Sequence, residues 1–182
     1  ASPGEPVQEG GLQQQRELTL ERSAALLAAL PPLKAVMTSD DAATIQDASA
    51  TFWQLAGSQL FVLANRNGTL SAFHSSTPEF PAEAAQAAVE RYLAGGGSRD
   101  WWFGGGHLFQ VFLQPISFGT PDSSFPIGLL AVGYEVDQAV ATDVGRVAGG
   151  DVGFAYDRRL VVSTVAAPLR GALSALVSQP GD

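Results

Sequence analysis

The sequence predicts an α+β fold, an antiparallel sheet with its helices segregated to one side. Three observations predict it. From residue 12 to 30 the chain is free of Gly and Pro, and Leu and Ala recur there at helical spacing. Short apolar runs then come in pairs joined by Gly- and Asn-rich turns, the signature of hairpins. Finally, the strands fall in runs rather than alternating one by one with helices: long helix, helix, hairpin, helix, three-strand meander, helix, hairpin, helix.

The first helix is expected over residues 12–30, where Leu, Ala, Glu, Gln and Arg dominate. Leu20, Ala24 and Leu27 make one stripe, and Leu26, Ala29, Leu30 and Leu33 a neighbouring one. Pro31-Pro32 ends or kinks it, and residues 33–37 resume as a short turn. Asp40 or Asp41 can cap the next helix, because a short carboxylate accepts the free N–H groups of a first turn. That helix carries Ile45, Ala48, Phe52 and Leu55 inward and stops at Gly57. The period then switches. Leu60-Phe-Val-Leu-Ala64 reads as a strand buried on both faces, Asn65 to Gly68 turns, and residues 69–74 return. Pro78 and Pro81 open a helix that continues over 84–93, with Ala85, Ala88, Val89 and Tyr92 inward, until Gly95-Gly-Gly97 stops it.

Three strands follow, over 101–103, 108–118 and 127–134. In the long middle one Phe109, Val111 and Leu113 point one way, and Gln110, Phe112 and Gln114 the other. Residues 119–126 read as a polar hairpin loop. A helix is expected from Asp137 to about residue 147, a hairpin over 152–156 and 160–164, and a short helix over 169–177.

Composition removes several classes of function. At 182 residues the chain can bury a core without staples, and 46% hydrophobic against 15% charged is not the balance of a disordered chain. No apolar run approaches the ~20 residues of a membrane span. Ten Lys+Arg against 18 Asp+Glu give −8, Lys34 is the only lysine, and the arginines are scattered. Polyanions are held by clustered cations, so nucleic acid is not an expected partner. With no cysteine there is no disulfide, thiol nucleophile or thiolate metal site. The polar, Pro/Gly-rich residues 1–11 lack the features of a signal peptide. They read as a disordered tail of a piece cut from a longer polypeptide, with any anchoring segment outside it.

Four stretches carry a family resemblance: Leu60-Phe-Val-Leu-Ala-Asn-Arg-Asn-Gly68; Trp102-Phe-Gly-Gly-Gly-His-Leu-Phe-Gln-Val111 through Pro115-Ile116; Ile127-Gly-Leu-Leu-Ala-Val-Gly133; and Gly150 to Asp157 with Leu160 to Thr164. Their order and spacing resemble the Cache or PDC extracytoplasmic sensory domains, closest to the double-Cache sensory region of bacterial two-component sensor kinases. The resemblance implies a PAS-like five-stranded antiparallel sheet of order 2-1-5-4-3 with a long N-terminal helix. Here it would be followed by an extra C-terminal hairpin and short helix. On that basis residues 12–148 form the sensory module, and 149–182 an extension or a truncated second module.

Candidate site residues follow from the same comparison. Arg99-Asp-Trp-Trp102 resembles the Arg-x-Trp-aromatic stretch with which some amino-acid-binding Cache domains hold a ligand carboxylate and enclose its ammonium group. A bidentate Arg–carboxylate pair and a cation–π wall are sound physics for a zwitterion. Arg99, Trp101, Trp102, Phe112 and Tyr134 are therefore the expected ligand-binding residues; the competing reading makes Trp102 a core residue and Arg99 an exposed one. His74 and His107, near strand ends, read as solvated groups rather than a metal pair. Both Gly-rich stretches read as tight turns, since neither has the spacing of a phosphate loop.

The expected function is thus ligand sensing in the periplasmic part of a transmembrane signal-transduction receptor, a sensor histidine kinase above all. The domain itself is expected to be non-catalytic, with no cofactor and no metal. A small molecule, a carboxylate or amino acid, would sit between the sheet and the segment 82–106. The surplus apolar surface of the first helix predicts a parallel homodimer, with Leu20 and Leu27 in the interface. The alternatives are a cytoplasmic PAS- or GAF-like regulatory module and a small hydrolase with an atypical site.

Overall fold

A computed structural model describes residues 11–136, with side chains from residue 14, and the backbone of residues 153–156 and 159–163. Helix α1 (Gly11–Ala29) hands over at Leu30 to α2 (Pro31–Val36). The two prolines start that short helix rather than merely ending the first, since a ring-fixed φ and a missing N–H suit a first turn. In α3 (Ala42–Ala56) Asp41 is the cap. Its carboxylate accepts from the Ala43 and Thr44 N–H groups at 3.3 and 3.2 Å. Hydrogen bonds from the Thr44 hydroxyl, first, and the Ala43 amide hold its pKa below the ordinary carboxylate value. Gly57, at φ +63°, closes the helix.

The strands are β1 (Leu60–Asn65), β2 (Leu70–Ser75), β3 (Arg99–Gly104), β4 (His107–Thr120) and β5 (Ser123–Glu135), with α4 (Ala82–Leu93) between β2 and β3. They form one antiparallel sheet of order β2-β1-β5-β4-β3. A separate two-stranded hairpin pairs β6 (Gly153–Tyr156) with β7 (Arg159–Ser163). The helices expected over 137–147 and 169–177 lie outside the described residues.

Helices cover both faces of the sheet, not one as expected. On one face α1, α2 and α3 bury Phe61, Leu63, Leu108, Phe112, Ile116, Leu130, Val132 and Tyr134. On the other, α4 and the segment before it bury Leu60, Val62, Trp102, Phe109, Val111, Leu113 and Ala131. The unbroken apolar run of β1 is the sequence's own sign of this arrangement: a strand covered on one side alternates, and this one does not. The assignment of β4 side chains to two faces, with Phe109, Val111 and Leu113 together, agrees with the alternation read from the sequence.

Three expectations are corrected. First, Leu20 and Leu27, assigned above to a dimer interface, are 7% and 6% exposed and belong to the core between α1 and the chain's own sheet. The apolar residues that α1 leaves outward include Leu18 and Leu26. Second, α3 buries Ile45, Ser49, Phe52 and Ala56, leaving Leu55 exposed. A polar residue wins an inward position there because His74 of β2 offers Ser49 a hydrogen bond. Third, the expected loop 119–126 is mostly strand: β4 runs to Thr120, β5 starts at Ser123, and Gly119 sits at φ +112° beside the turn. Its polar composition reflects a ribbon that projects beyond the core, not irregular backbone. There Phe118 and Phe125 pack ring against ring, 6.2 Å apart.

Candidate functional site

The candidate residues divide between the faces of β3, the strand at one edge of the sheet. Arg99, facing α1, is bonded to Glu21 by its Nη2, 2.7 Å from Oε2, and has Glu17 Oε2 at 3.9 Å. Its guanidinium lies 5.6 Å from the centre of the Phe112 ring. Hydrogen bonding and then charge from Glu21 raise its pKa above the ordinary arginine value. Asp100 and Trp102 point the other way. The Trp102 indole is fully buried among the residues that pack under α4, and its Nε1 donates to Asp100 Oδ2 at 3.1 Å. Asp100 also accepts from the Trp101 N–H at 2.9 Å and pairs with Arg91 of α4 at 3.6 Å. Trp101 is 38% exposed.

Arg99, Phe112 and Tyr134 therefore share the α1 face, whereas Trp102 lies across the sheet from them, where it packs as a core residue. Of the segment 82–106 expected to cover the ligand, residues 99–104 are an edge strand within the sheet, and α4 packs on the face away from Arg99. Alternation is the reason: two adjacent tryptophans on one strand cannot face the same pocket.

A polar network crosses from α1 into the apolar layer beside Arg99. Gln110, 7% exposed, donates through Nε2 to Glu17 Oε1 at 3.1 Å and accepts from the Tyr134 hydroxyl. Arg16 of α1 lies 5.7 Å over the Tyr134 ring. Apart from the Tyr134–Gln110 bond between β5 and β4, the links run between α1 and the distal strands β3, β4 and β5. Charge-assisted bonds of this kind fix register and orientation where apolar packing would tolerate sliding.

Of the histidines, His74 joins β2 to α3 through Ser49 at 2.8 Å and stacks on Trp53, with ring centroids 5.1 Å apart. Burial lowers its pKa, opposed by a hydrogen bond that the ring makes to the Gln46 backbone. The Ser49–His74 pair looks like a nucleophile and base, but Ser49 is fully buried and its hydroxyl donates to the Gln46 carbonyl. The other ring nitrogen faces the Gln46 amide rather than a carboxylate. That is a structural tie, without the orienting acid a base needs. His107 is held by Glu135 at Nδ1 and has Glu79 Oε2 3.9 Å from Nε2. The two carboxylates lie on different nitrogens, so they do not converge on one ion. Among the described residues no group of three metal-ligating side chains comes together. The Gly-rich stretches are turns, with Gly95, Gly105 and Gly106 at φ +116°, +58° and +80°. A Cβ at Gly105 would stand 1.9 Å from the Glu79 carbonyl oxygen, so only glycine lets this turn lie against the segment leading to α4.

No family model matches the chain, and no curated protein does. Solved structures do. The crystal structure of the periplasmic domain of Vibrio cholerae LuxQ superposes with a TM-score of 0.61 at 15% identity, over 94% of this chain and 82% of that one. A selenomethionine structure of the same domain gives 0.60, with the same identity and coverage. The fold is PAS-like. The strand order and the N-terminal helix of the PAS-like sheet agree with the architecture that the resemblance to Cache domains implied. At this identity the likeness extends to the backbone, and the site rests on this chain's own residues. Among the described residues no helix is long and apolar enough to cross a membrane.

The sequence reading missed Glu17, Glu21 and Gln110 as site residues. The glutamates look like solvated positions on a helix, and nothing local shows that they meet Arg99 some eighty positions later. Gln110 left a signal, an amide in the middle of the apolar run Leu108-Phe-Gln-Val-Phe-Leu113. A buried amide needs partners, and here they are Glu17 and Tyr134.

Proposed function

We propose that this chain is the extracytoplasmic, periplasmic sensing domain of a transmembrane receptor, a sensor histidine kinase of a two-component system. On this reading it is non-catalytic itself, and a small carboxylate or amino acid is read at Arg99. The resemblance to Cache domains and the PAS-like fold support the setting. The observation that carries the mechanism is that Arg99 is bound by the carboxylates of α1. A ligand carboxylate competes with Glu21 and Glu17 for one guanidinium, so binding it and loosening α1 from β3 are one event. Phe112 and Tyr134, which α1 covers, then become the walls of the site beside Trp101, and the shift passes along the helix toward the membrane. Trp102 supports β3 from the far face. Paired α1 helices in a homodimer, through the outward face that carries Leu18 and Leu26, would bring two such helices side by side.

A thermal-shift screen of amino acids and small carboxylates tests this. A stabilising ligand is expected to lose its effect on Arg99→Ala. It is expected to bind more tightly to Glu21→Gln, which removes the competitor and leaves the guanidinium. The Arg99–Glu21 pair is solvent-exposed, so neither substitution should move the midpoint of the unliganded protein appreciably. A ligand that binds Arg99→Ala as tightly as the parent places the site elsewhere.

A further inference from the structure

One edge of the sheet is finished by side chains, and that finish leads to a titratable group. The edge strand β2 is bracketed by glutamine side chains. Gln86 of α4 accepts from the Leu70 N–H at 3.1 Å and donates to the Gly68 carbonyl at 2.7 Å. Gln46 of α3 accepts from the Phe73 N–H at 2.8 Å and donates to the Phe73 carbonyl at 2.9 Å. Each amide thus takes the place of a neighbouring strand's backbone, which is one way to keep an edge from pairing with another chain.

The double bond to Phe73 fixes which way the Gln46 amide is turned, and so fixes what His74 must be. The Gln46 NH₂ group faces His74 Nδ1 at 3.4 Å, so that nitrogen is the acceptor and carries no proton. The proton is on Nε2, 2.8 Å from Ser49 Oγ, whose own hydrogen goes to the Gln46 carbonyl at 3.0 Å. The ring of bonds closes with every donor used once, around the neutral imidazole. A second proton would sit at Nδ1 against a donor that cannot turn round without leaving Phe73. The surroundings offer the cation little: Gln46, Ser49 and Trp53 from α3 and Phe61 from β1. None of these is a carboxylate; Trp53's ring face and the Gln46 backbone favour the cation, and burial outweighs them.

We propose that His74 is a proton-operated latch on the β2 edge. Neutral, it holds α3 and the Gln46 cap in place; protonated, it expels the amide, frees the Phe73 backbone and loosens α3 from β2. Mild acidification of the surroundings would then expose a strand edge that is closed at neutral pH. This device is separate from Arg99, since it lies on the opposite edge of the sheet and uses none of the same residues.

The test is amide hydrogen exchange with the imidazole resonances followed in the same samples, from about pH 7.5 to about pH 5, the range in which histidines change charge. After correction for intrinsic rates, Phe73 protection is expected to fall as His74 titrates, while the central amides of Val62 and Leu130 keep theirs. The fall should be about ten-fold if the open state binds the proton about ten-fold more tightly than the closed one. His74→Gln, which keeps a neutral polar side chain, should abolish the pH dependence. Gln46→Ala should leave Phe73 unprotected at every pH and serves as the open reference should the His74 variant fold poorly. Phe73 protection that is flat across the range while His74 titrates would overturn the latch. So would a His74 midpoint at or above that of an unfolded histidine.

Discussion

Replacing Leu20 by Glu is expected to lower the midpoint of thermal unfolding by about 10 °C or more, whereas Leu26→Glu leaves it nearly unchanged. Leu20 is 7% exposed in the layer between α1 and the sheet, and Leu26, less than two turns further along, is 70% exposed. Removing a buried leucine costs about 2–5 kcal/mol through lost contacts and the void left behind. A carboxyl in its place adds about 1–3 kcal/mol for a polar group buried without a partner. At about 2–4 °C per kcal/mol for a domain of this size, the sum is a shift that calorimetry or circular dichroism reads directly. Surface substitutions stay within about 0.5 kcal/mol, which is the expectation for Leu26. The same pair separates fold from assembly. If α1 forms the proposed homodimer through its outward face, Leu26→Glu should dissociate it in light scattering at full stability. A Leu20→Glu protein with the parent's midpoint and spectrum would show that α1 does not pack on the sheet through this stripe.

How much was legible in advance follows from which interactions are local. The hairpins and the core faces of α4 and β4 rest on periodicity and turn chemistry, which any short window of sequence carries, whereas the strand order, with β1 beside β5, came from the family resemblance. The cap of α3 was legible as Asp40 or Asp41 because a cap is read three residues ahead, and the structure takes Asp41. What failed depended on partners far along the chain. Ser49 turns inward because of His74, and Leu20 and Leu27 are claimed by the sheet rather than by a second helix. A helix whose buried stripe is flanked by outward leucines presents two apolar faces, and periodicity does not say which neighbour takes which. Of the candidate residues in the Arg-x-Trp-aromatic stretch, Trp102 alone falls on the face away from Arg99, for a simpler reason. A three-residue likeness specifies letters, while the pleat sends neighbouring letters to opposite faces, and in β3 that placed Trp102 in the core.

That placement carries the second large effect: Trp102→Ala is expected to destabilise the domain by about 3–5 kcal/mol, the range for truncating a buried large aromatic. Trp102 is fully buried, among Phe80, Phe109 and the small residues of α4, so no solvent-facing adjustment can refill the space. Its indole N–H is also one of the bonds that hold Asp100, which in turn holds the Trp101 amide and Arg91. Trp102→Phe keeps most of the packing and removes that bond. Asp100 is partly open to water, which can replace the lost donor, so this variant should recover the larger part of the stability. The two variants also discriminate between a ligand residue and a scaffold residue. As scaffold, Trp102 acts through the position of β3, so ligand affinity at Arg99 should follow stability and return with Trp102→Phe. A direct wall of the pocket would instead lose affinity in both variants in proportion to ring area, with little change in the unliganded midpoint. Denaturant unfolding with the carboxylate screen repeated on each variant decides between them, and a Trp102→Ala protein within about 1 kcal/mol of the parent would remove Trp102 from the core.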